Sequence, residues 1–428
     1  MKVGIYIGGT PRSTIDATNV ISEGNPGIGG TEYEFIMLAT YLSTIRECSD
    51  RMDITVFQAG RYSLPDNVKS INGISPNQMI EECRARHIDI LIVDSRWDLG
   101  LLKKFNETTT KLIVWCHCVG SYYRHFLFAR WSAVKCMVYV SRGHFLNFLD
   151  NPIFPKSTWA FNSVSVPSRV KSLRESFPFA ERPHDVVYMG ALDESKGFHV
   201  LAKAWPEVLA KVPDARLHVI GSANLYGGAF KLGPLGLAHE AYEASFHKYL
   251  ATKQNTLHPS VILHGKLATE KYDVMARCRV GVPNPCGKTE TFCISAVEMQ
   301  LCGCKVVSCY SSGYIDTVPA PNILVDNESQ LADAIVSGLV EDGFNWESNL
   351  ENIMANFSIE SVGQKWLKII DNVDKDDRIM DTYEIPIQFH ARKQRARVRK
   401  FIPIIPPVGF ITDTFSRFKA ATKRILSR

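Results

Sequence analysis

The sequence predicts an α/β protein built from two Rossmann-like parallel-sheet domains, followed by a basic tail. Three observations carry that expectation. Short apolar runs alternate with helical periods along most of the chain, which is the rhythm of βαβ units and a parallel sheet. The chain has 428 residues, more than one ordinary core holds. The rhythm also starts twice, once at Val3 and again at Asp185, with a polar, charged stretch before the second start.

The bulk numbers narrow the class. Apolar and charged fractions are those of a globular chain. Eleven scattered cysteines contain no C-x2-C pair, which points to a reducing, cytoplasmic setting rather than a disulfide framework. Cys278, Cys286, Cys293, Cys302, Cys304 and Cys309 fall close together, but mostly in apolar strand or helix contexts, where cysteine acts as a small hydrophobe. No metal is therefore expected there. The first residues, MKVGIYIGG, read as a strand and lack the regions of a secretion signal. No apolar run reaches the ~18 residues that would span a bilayer. Charge is uneven: residues 391–428 hold eleven Lys/Arg and one Asp, a net +10 against +5 for the whole chain.

In the first half, Val3 to Ile7 reads as a buried strand with a Gly8-Gly9-Thr10-Pro11 turn at its end. Gly29 and Gly30 then precede Thr31, a plausible N-cap with Glu34 at capping-box spacing. Phe35, Leu38, Ala39 and Leu42 give a helical period. A glycine-rich loop opening a helix after the first strand is a candidate phosphate cradle. Ile54–Phe57, Ile88–Val93, Leu112–Trp115 and Val134–Val140 read as further strands, and 76–86 as a helix. In such sheets ligands bind beyond the carboxyl ends of strands. Asp94-Ser95-Arg96 and Cys116-His117-Cys118 occupy two of those ends. The aromatic segment SYYRHFLFARW after them reads either as a packed helix or as an acceptor or membrane contact.

The second half opens with the strand Asp185–Gly190. A short acidic turn, Lys196-Gly197, a helix with Trp205 and a strand ending at Gly221 come next. Val261–Leu263 leads into the turn His264-Gly265-Lys266-Leu267. The strand Arg279–Pro283 then runs into NPCGKTETFCISAVEMQLCG, residues 284–303. Pro283, Pro285 and Gly287 break the chain into a loop, and a buried helix is expected from Thr289 to Gly303. Glu290 stands at its mouth and Glu298 eight residues on, a rise of about 12 Å along one side. The free amides of Thr291, Phe292 and Cys293 and the helix dipole would seat a diphosphate. A carboxylate lower on that face would hold a ribose diol.

This arrangement resembles the E-x7-E signature of the retaining glycosyltransferases of the glycosyltransferase group 1 family. The resemblance covers roughly residues 1–375 and is most specific from 185 to 309. It implies the glycosyltransferase B fold, two Rossmann-like domains facing a central cleft. It implies that Glu290 contacts the donor sugar, that Glu298 binds the ribose of a nucleotide sugar, and that Lys196 reaches the diphosphate. Gly29, Gly30 and Glu32 match the family's G-G-x-E-like loop, and His117 the histidine near the reacting sugar. The 264–267 turn, with Leu267, matches the turn facing the base, and Gly221, Thr291 and Phe292 fall at donor-side positions. Three positions depart from the pattern. Ala191 stands where an arginine is common, and Thr291 and Cys293 stand where glycine is usual.

The expected organisation is an acceptor-side domain at 1–165, a linker at 166–183 and a nucleotide-sugar domain at 184–345. Helices at 346–378 cross back, and a tail occupies 379–428. Asp374-Lys375-Asp376 has a metal-site spelling, D-x-D, but reads as a solvated charged run. In the tail, Arg392–Lys400 is basic, Phe401–Ile411 is apolar but broken by proline, and a last amphipathic helix is capped by Thr412 or Asp413. That pattern suits either a solvated, partly disordered tail or an anionic membrane surface through 392–428. Nucleic acid is not the expected partner, since no recognition motif accompanies the charge. The implied function is metal-independent, retaining transfer from a nucleotide sugar to a glycan or lipid-linked glycan, with catalytic Glu290 and His117 and no cofactor. The alternative is a non-catalytic binding or scaffold protein of a surface-polysaccharide assembly.

Overall fold

The first part of the chain holds β1 (Lys2–Ile7), β2 (Ile15–Asp16), β3 (Asp53–Gln58), β4 (Tyr62–Ser63), β5 (Ser70–Asn72), β6 (Ile90–Asp94), β7 (Lys111–Cys116), β8 (Val134–Tyr139) and β9 (Ser157–Trp159). Seven of them form one parallel sheet in the order β5-β3-β1-β6-β7-β8-β9, and β2 pairs with β4 in a small ribbon. The second part holds β10 (Asp185–Met189), β11 (Arg216–Ile220), β12 (Val261–Gly265), β13 (Val280–Gly281), β14 (Lys305–Cys309) and β15 (Ile323–Val325). These form a second parallel sheet in the order β12-β11-β10-β13-β14-β15. Central strands of both sheets are buried along nearly their whole length, as continuous apolar runs covered by helices on both faces should be.

The structure is a computed structural model that describes residues 1–9, 14–45, 51–223, 231–286, 290–377 and 383–401. It divides into two units. One comprises Met1–Ile15, Leu38–Phe161 and the described residues from Val362 on; the other comprises Asp16–Met37 and Asn162–Ser361. Residues 16–37, expected with the first sheet, thus group with the second. Among the described residues no helix is long and apolar enough to cross a membrane.

The 166–183 segment, read as a linker, holds the helix Ser168–Ser176 with Val170 and Arg174 buried. Arg174 Nη1 donates to the carbonyl of Leu301 at 2.6 Å, so this segment is fastened to the second sheet's surroundings. The early helix begins at Gly30 rather than after a Thr31 cap. Its amides are engaged a residue earlier, with Tyr33 N donating to Gly29 O at 3.0 Å. Glu34 makes no capping box. It is 1% exposed and accepts from Ser163 N at 2.8 Å and Ser163 Oγ at 3.1 Å. The helix is buried on all sides from Tyr33 to Leu42, with Glu34 and Thr40 among the buried residues, so the one-sided period read from its sequence does not describe it.

The Asp374-Lys375-Asp376 run ends the helix Ile359–Asp374. Asp376 adopts a left-handed φ of 54° and accepts from Lys111 Nζ at 2.9 Å and Lys135 Nζ at 3.1 Å. Its carboxylate ties the helix end to the amino ends of β7 and β8. In the basic tail, His390–Phe401 is helical. Arg392 Nη1 lies 3.6 Å from the buried carboxylate of Asp150, Arg399 donates to the Asp150 carbonyl, and Tyr122 OH donates to Asp150 Oδ1 at 2.8 Å. The apolar run and the last amphipathic helix expected beyond Phe401 lie outside the described residues, as do Thr10-Pro11, Gly287 and Thr289.

Candidate active site

The second unit assembles its polar side chains at the carboxyl ends of β10 to β13. The end of β10 turns through Gly190 and the buried Ala191 into a tight loop. Asp193 accepts from the amides of Ser195 and Lys196 at 2.8 and 3.2 Å, capping a single turn. Tyr188 OH donates to the carbonyls of Ala191 and Lys196 at 3.1 and 3.0 Å and holds the loop from beneath. Gly197 follows with φ 67°, and a Cβ there would stand 2.5 Å from the amide nitrogen of Cys286. Only glycine fits that backbone-to-backbone approach. Gly221, φ 139°, is equally constrained, because a Cβ would run into the carbonyl of Gly190. Its amide donates to Gly265 O at 2.8 Å, so the ends of β11 and β12 are zipped together.

These turns deliver Lys196 to Glu290. Lys196 Nζ donates to Glu290 Oε2 at 3.2 Å, and Asn284 Nδ2 donates to the same oxygen at 2.9 Å. Glu290 Oε1 accepts from the Thr291 amide at 3.2 Å. Burial pushes the Glu290 carboxyl up, but Lys196, Asn284 and the Thr291 amide outweigh it and hold it below its ordinary value. It is a poised anion with a half-buried cation beside it.

The helix bearing the second acid starts later than expected, at Ile294, and runs to Leu301. Cys293 interrupts it with φ 69° and ψ 76°, a left-handed conformation. The position that departs from glycine therefore keeps the backbone that glycine favours. Consequently Thr291, Phe292 and Cys293 are not its first turn. The Thr291 amide is taken by Glu290, and Phe292 is buried edge-on against Phe357 with centroids 5.2 Å apart. Glu298 is 4% exposed. Its Oε1 accepts from Lys271 Nζ at 2.6 Å and from Tyr272 OH at 3.2 Å. Both donors take the same oxygen, so the carboxylate is held by one end.

The glycine-rich loop belongs to this unit. A Cβ on Gly30 would lie 3.3 Å from Ile294 Cδ1, and one on Gly27 3.1 Å from Lys266 Cε and 3.6 Å from Leu267 O. Gly29 abuts the Glu32 carboxylate. Gly29, Gly30, Lys196, Gly221, Leu267, Glu290, Thr291, Phe292 and Glu298 are thus all residues of one unit. His117 belongs to the other. It follows β7, is 8% exposed, and stacks at a tilt on Trp115 with centroids 4.4 Å apart. Burial lowers its pKa to about 3, with Asp94 and Arg96 acting in opposite directions, so the ring is neutral. Sequence reasoning missed Asn284, Tyr188, Lys271 and Tyr272 as supports. Asn284 and Tyr188 flank recognised motifs, whereas Lys271 and Tyr272 carry no local signal.

Residues 183–341 match the family model described as glycosyl transferases group 1. No curated protein sequence matches the chain. Among solved structures, HepE of Anabaena in complex with UDP and glucose is 15% identical, with a TM-score of 0.61 over 87% of this chain and 100% of its own. Sucrose-phosphate synthase from Thermosynechococcus elongatus is 15% identical, TM-score 0.61, over 87% and 98%. AviGT4, a glycosyltransferase involved in avilamycin A biosynthesis, is 12% identical, TM-score 0.54, over 87% and 98%. The chain therefore has the fold of these proteins, and its residues 183–341 carry the sequence pattern of the group 1 glycosyl transferases.

Proposed function

We propose that the chain is a retaining glycosyltransferase that moves a sugar, a hexose by this reading, from a nucleotide-sugar donor to a glycan or lipid-linked glycan. The observation that carries the proposal is the Lys196–Glu290–Asn284 cluster beside a helix whose Glu298 is anchored by Lys271. HepE is known in complex with UDP and with UDP-glucose, which makes a UDP-sugar the first donor to test. In this reading the donor diphosphate draws Lys196 away from Glu290, and the released carboxylate oxygen takes a sugar hydroxyl. The helix amides after Cys293 and Lys196 stabilise the leaving diphosphate, so no metal is required. Glu298 holds the ribose, and His117 keeps the sugar-contacting role that the resemblance implies. Retention is what the E-x7-E resemblance implies.

The test is a thermal-shift screen with UDP-, GDP- and ADP-sugars, with and without EDTA, since a ligand of the native state raises its melting temperature. One nucleotide class should stabilise the protein equally in both conditions. Glu298→Ala should weaken it about 10- to 150-fold, the worth of a charge-assisted hydrogen bond. Glu290→Ala should chiefly lower turnover of the donor. No stabilisation by any nucleotide sugar would leave the scaffold reading, which the buried Ala191 in place of an arginine favours.

We also propose that residues 392–428 bring the chain to anionic membrane, on the strength of their eleven Lys/Arg against one Asp. The full chain should float with anionic liposomes and release in high salt, and a chain ending at Thr382 should not. Equal flotation of both would remove the anchor.

A further inference from the structure

A line of three polar side chains crosses one face of the second sheet and ends at the 264–267 turn. Asp185 opens β10, His218 lies in the middle of β11, and His264 is near the end of β12. The register pairs Asp185 with Arg216 and His218 with Ile262. Each step of the line therefore moves one strand sideways and two residues toward the carboxyl ends. Strand alternation keeps Asp185 and His218 on one face, and His264, the extra residue where the β11–β12 register slips between Leu263 and Gly265, joins them through its contact with His218. His218 Nε2 lies 3.0 Å from Asp185 Oδ2, and His218 Nδ1 lies 2.9 Å from His264 Nε2. The two rings are 13° from parallel. The Asp185 and His218 side chains are mostly buried, at 11% and 15% exposure.

The proton bookkeeping has one neutral solution. A carboxylate only accepts, so His218 Nε2 donates to Asp185. A neutral His218 then presents a bare Nδ1, and His264 Nε2 must donate into it. That leaves His264 Nδ1 as the bare nitrogen. Burial and the neighbouring His218 lower the pKa of His264, which agrees with its neutral form. One carboxylate at the amino end of β10 thus fixes the tautomer and plane of a ring at the carboxyl end of β12. Apolar residues would cover this face at lower cost, because partly buried polar groups must each find a partner. What the line adds is orientation. It sets His264, and with it Gly265, whose carbonyl accepts from Gly221 and whose successor Lys266 lies against Gly27.

We propose that Asp185, His218 and His264 are positioning residues for nucleotide recognition, holding the Gly265-Lys266-Leu267 turn so that its main-chain groups meet the base. This rests on the donor-binding reading above. The test measures calorimetric binding of UDP, GDP and ADP to the wild type and to Asp185→Ala, His264→Ala and His264→Gln. Long-range 1H–15N NMR of the imidazoles accompanies it. The wild type should bind one nucleotide and show both rings protonated at Nε2. Asp185→Ala should mix the His218 tautomers and weaken binding about threefold to tenfold, the worth of one lost hydrogen bond. His264→Ala should weaken it similarly, while His264→Gln, whose amide can replace the Nε2 donor, should bind like the wild type. Wild-type affinity in Asp185→Ala and His264→Ala, or a ring protonated at Nδ1 in the wild type, would overturn the inference alone. A wild type that binds none of the three nucleotides would overturn the donor reading and the inference with it.

Discussion

Replacing Lys271 by methionine isolates the energetics of the second acid. Lys271 Nζ sits 2.6 Å from Glu298 Oε1, and the two side chains are 6% and 5% exposed. Removing the cation leaves a carboxylate away from water with one hydrogen bond, from Tyr272, on the same oxygen. Breaking a buried pair from one side costs about 3–5 kcal/mol. For a unit of roughly 200 residues each kcal/mol is worth about 2–4 °C, so Lys271→Met should melt about 6–20 °C below the wild type. The pair as a whole need not stabilise the fold, because both ions had to be desolvated. Lys271→Met/Glu298→Leu should therefore recover most of the loss, within about 1–2 kcal/mol of the wild type. Nucleotide-sugar binding should not recover with it, since the carboxylate proposed to hold the ribose is gone. Calorimetric melts of the three proteins, with UDP-sugar titrations of each, check both statements. A Lys271→Met protein that melts within ~2–4 °C of the wild type would show that the pair is solvated and that Glu298 needs no anchor.

Two further perturbations test the surroundings. Burial raises the Glu34 carboxyl well above its ordinary range, against the pull of the Ser163 amide and hydroxyl. Above the unfolded value near 4.5 the unfolded chain has released this proton and the folded chain keeps it, so folding takes up a proton and stability falls as pH rises. Glu34→Gln removes that cost: its melting-temperature gain over the wild type should be near zero at pH 4 and grow toward pH 7.5, and a constant difference would refute it. Cys293→Gly should melt within about 1 kcal/mol of the wild type, because relief of left-handed strain offsets lost burial and added chain entropy. Cys293→Val should lose about 1–3 kcal/mol, and an equally stable valine variant would mean that φ at 293 is not held positive.

The sequence made the sheets legible because both are parallel and buried. Strands such as Leu112–Trp115 and Asp185–Met189 read as unbroken apolar runs, and glycines at 190, 197, 221 and 265 mark the turns after them. It also placed Lys196, Glu290 and Glu298 in one neighbourhood, since each sits at a fixed offset from a strand end. What it could not show were partners set by register or by a single dihedral. Lys271 meets Glu298 across 27 residues of chain. Asp185, His218 and His264 meet across three strands, and no local pattern links them. The helix start moved to Ile294 because Cys293 turns left-handed, which composition alone does not announce. Glu34 carried a capping-box spacing, but its surroundings bury it and give it Ser163 instead.

In the proposed reaction the two acid–lysine pairs bear on the absence of an arginine at Ala191. Each carboxylate already has its own lysine, so the side-chain charges cancel before a donor arrives. The pairs differ in what they can exchange. Lys271 is 6% exposed, and moving it would strand a buried anion. Lys196 is 30% exposed and 3.2 Å from its partner, so it can turn toward solvent, while Glu290, at 8%, then depends on its remaining donors. In the proposed reaction the diphosphate replaces Glu290 as the partner of Lys196, and Glu290 keeps its hydrogen bonds from Asn284 and the Thr291 amide. An arginine at 191 would add a second phosphate ligand, but the backbone there is held without it, by Tyr188 on the carbonyls of Ala191 and Lys196. In the proposed reaction the departure at 191 therefore lowers the charge available to the leaving group and leaves the geometry of the loop unchanged.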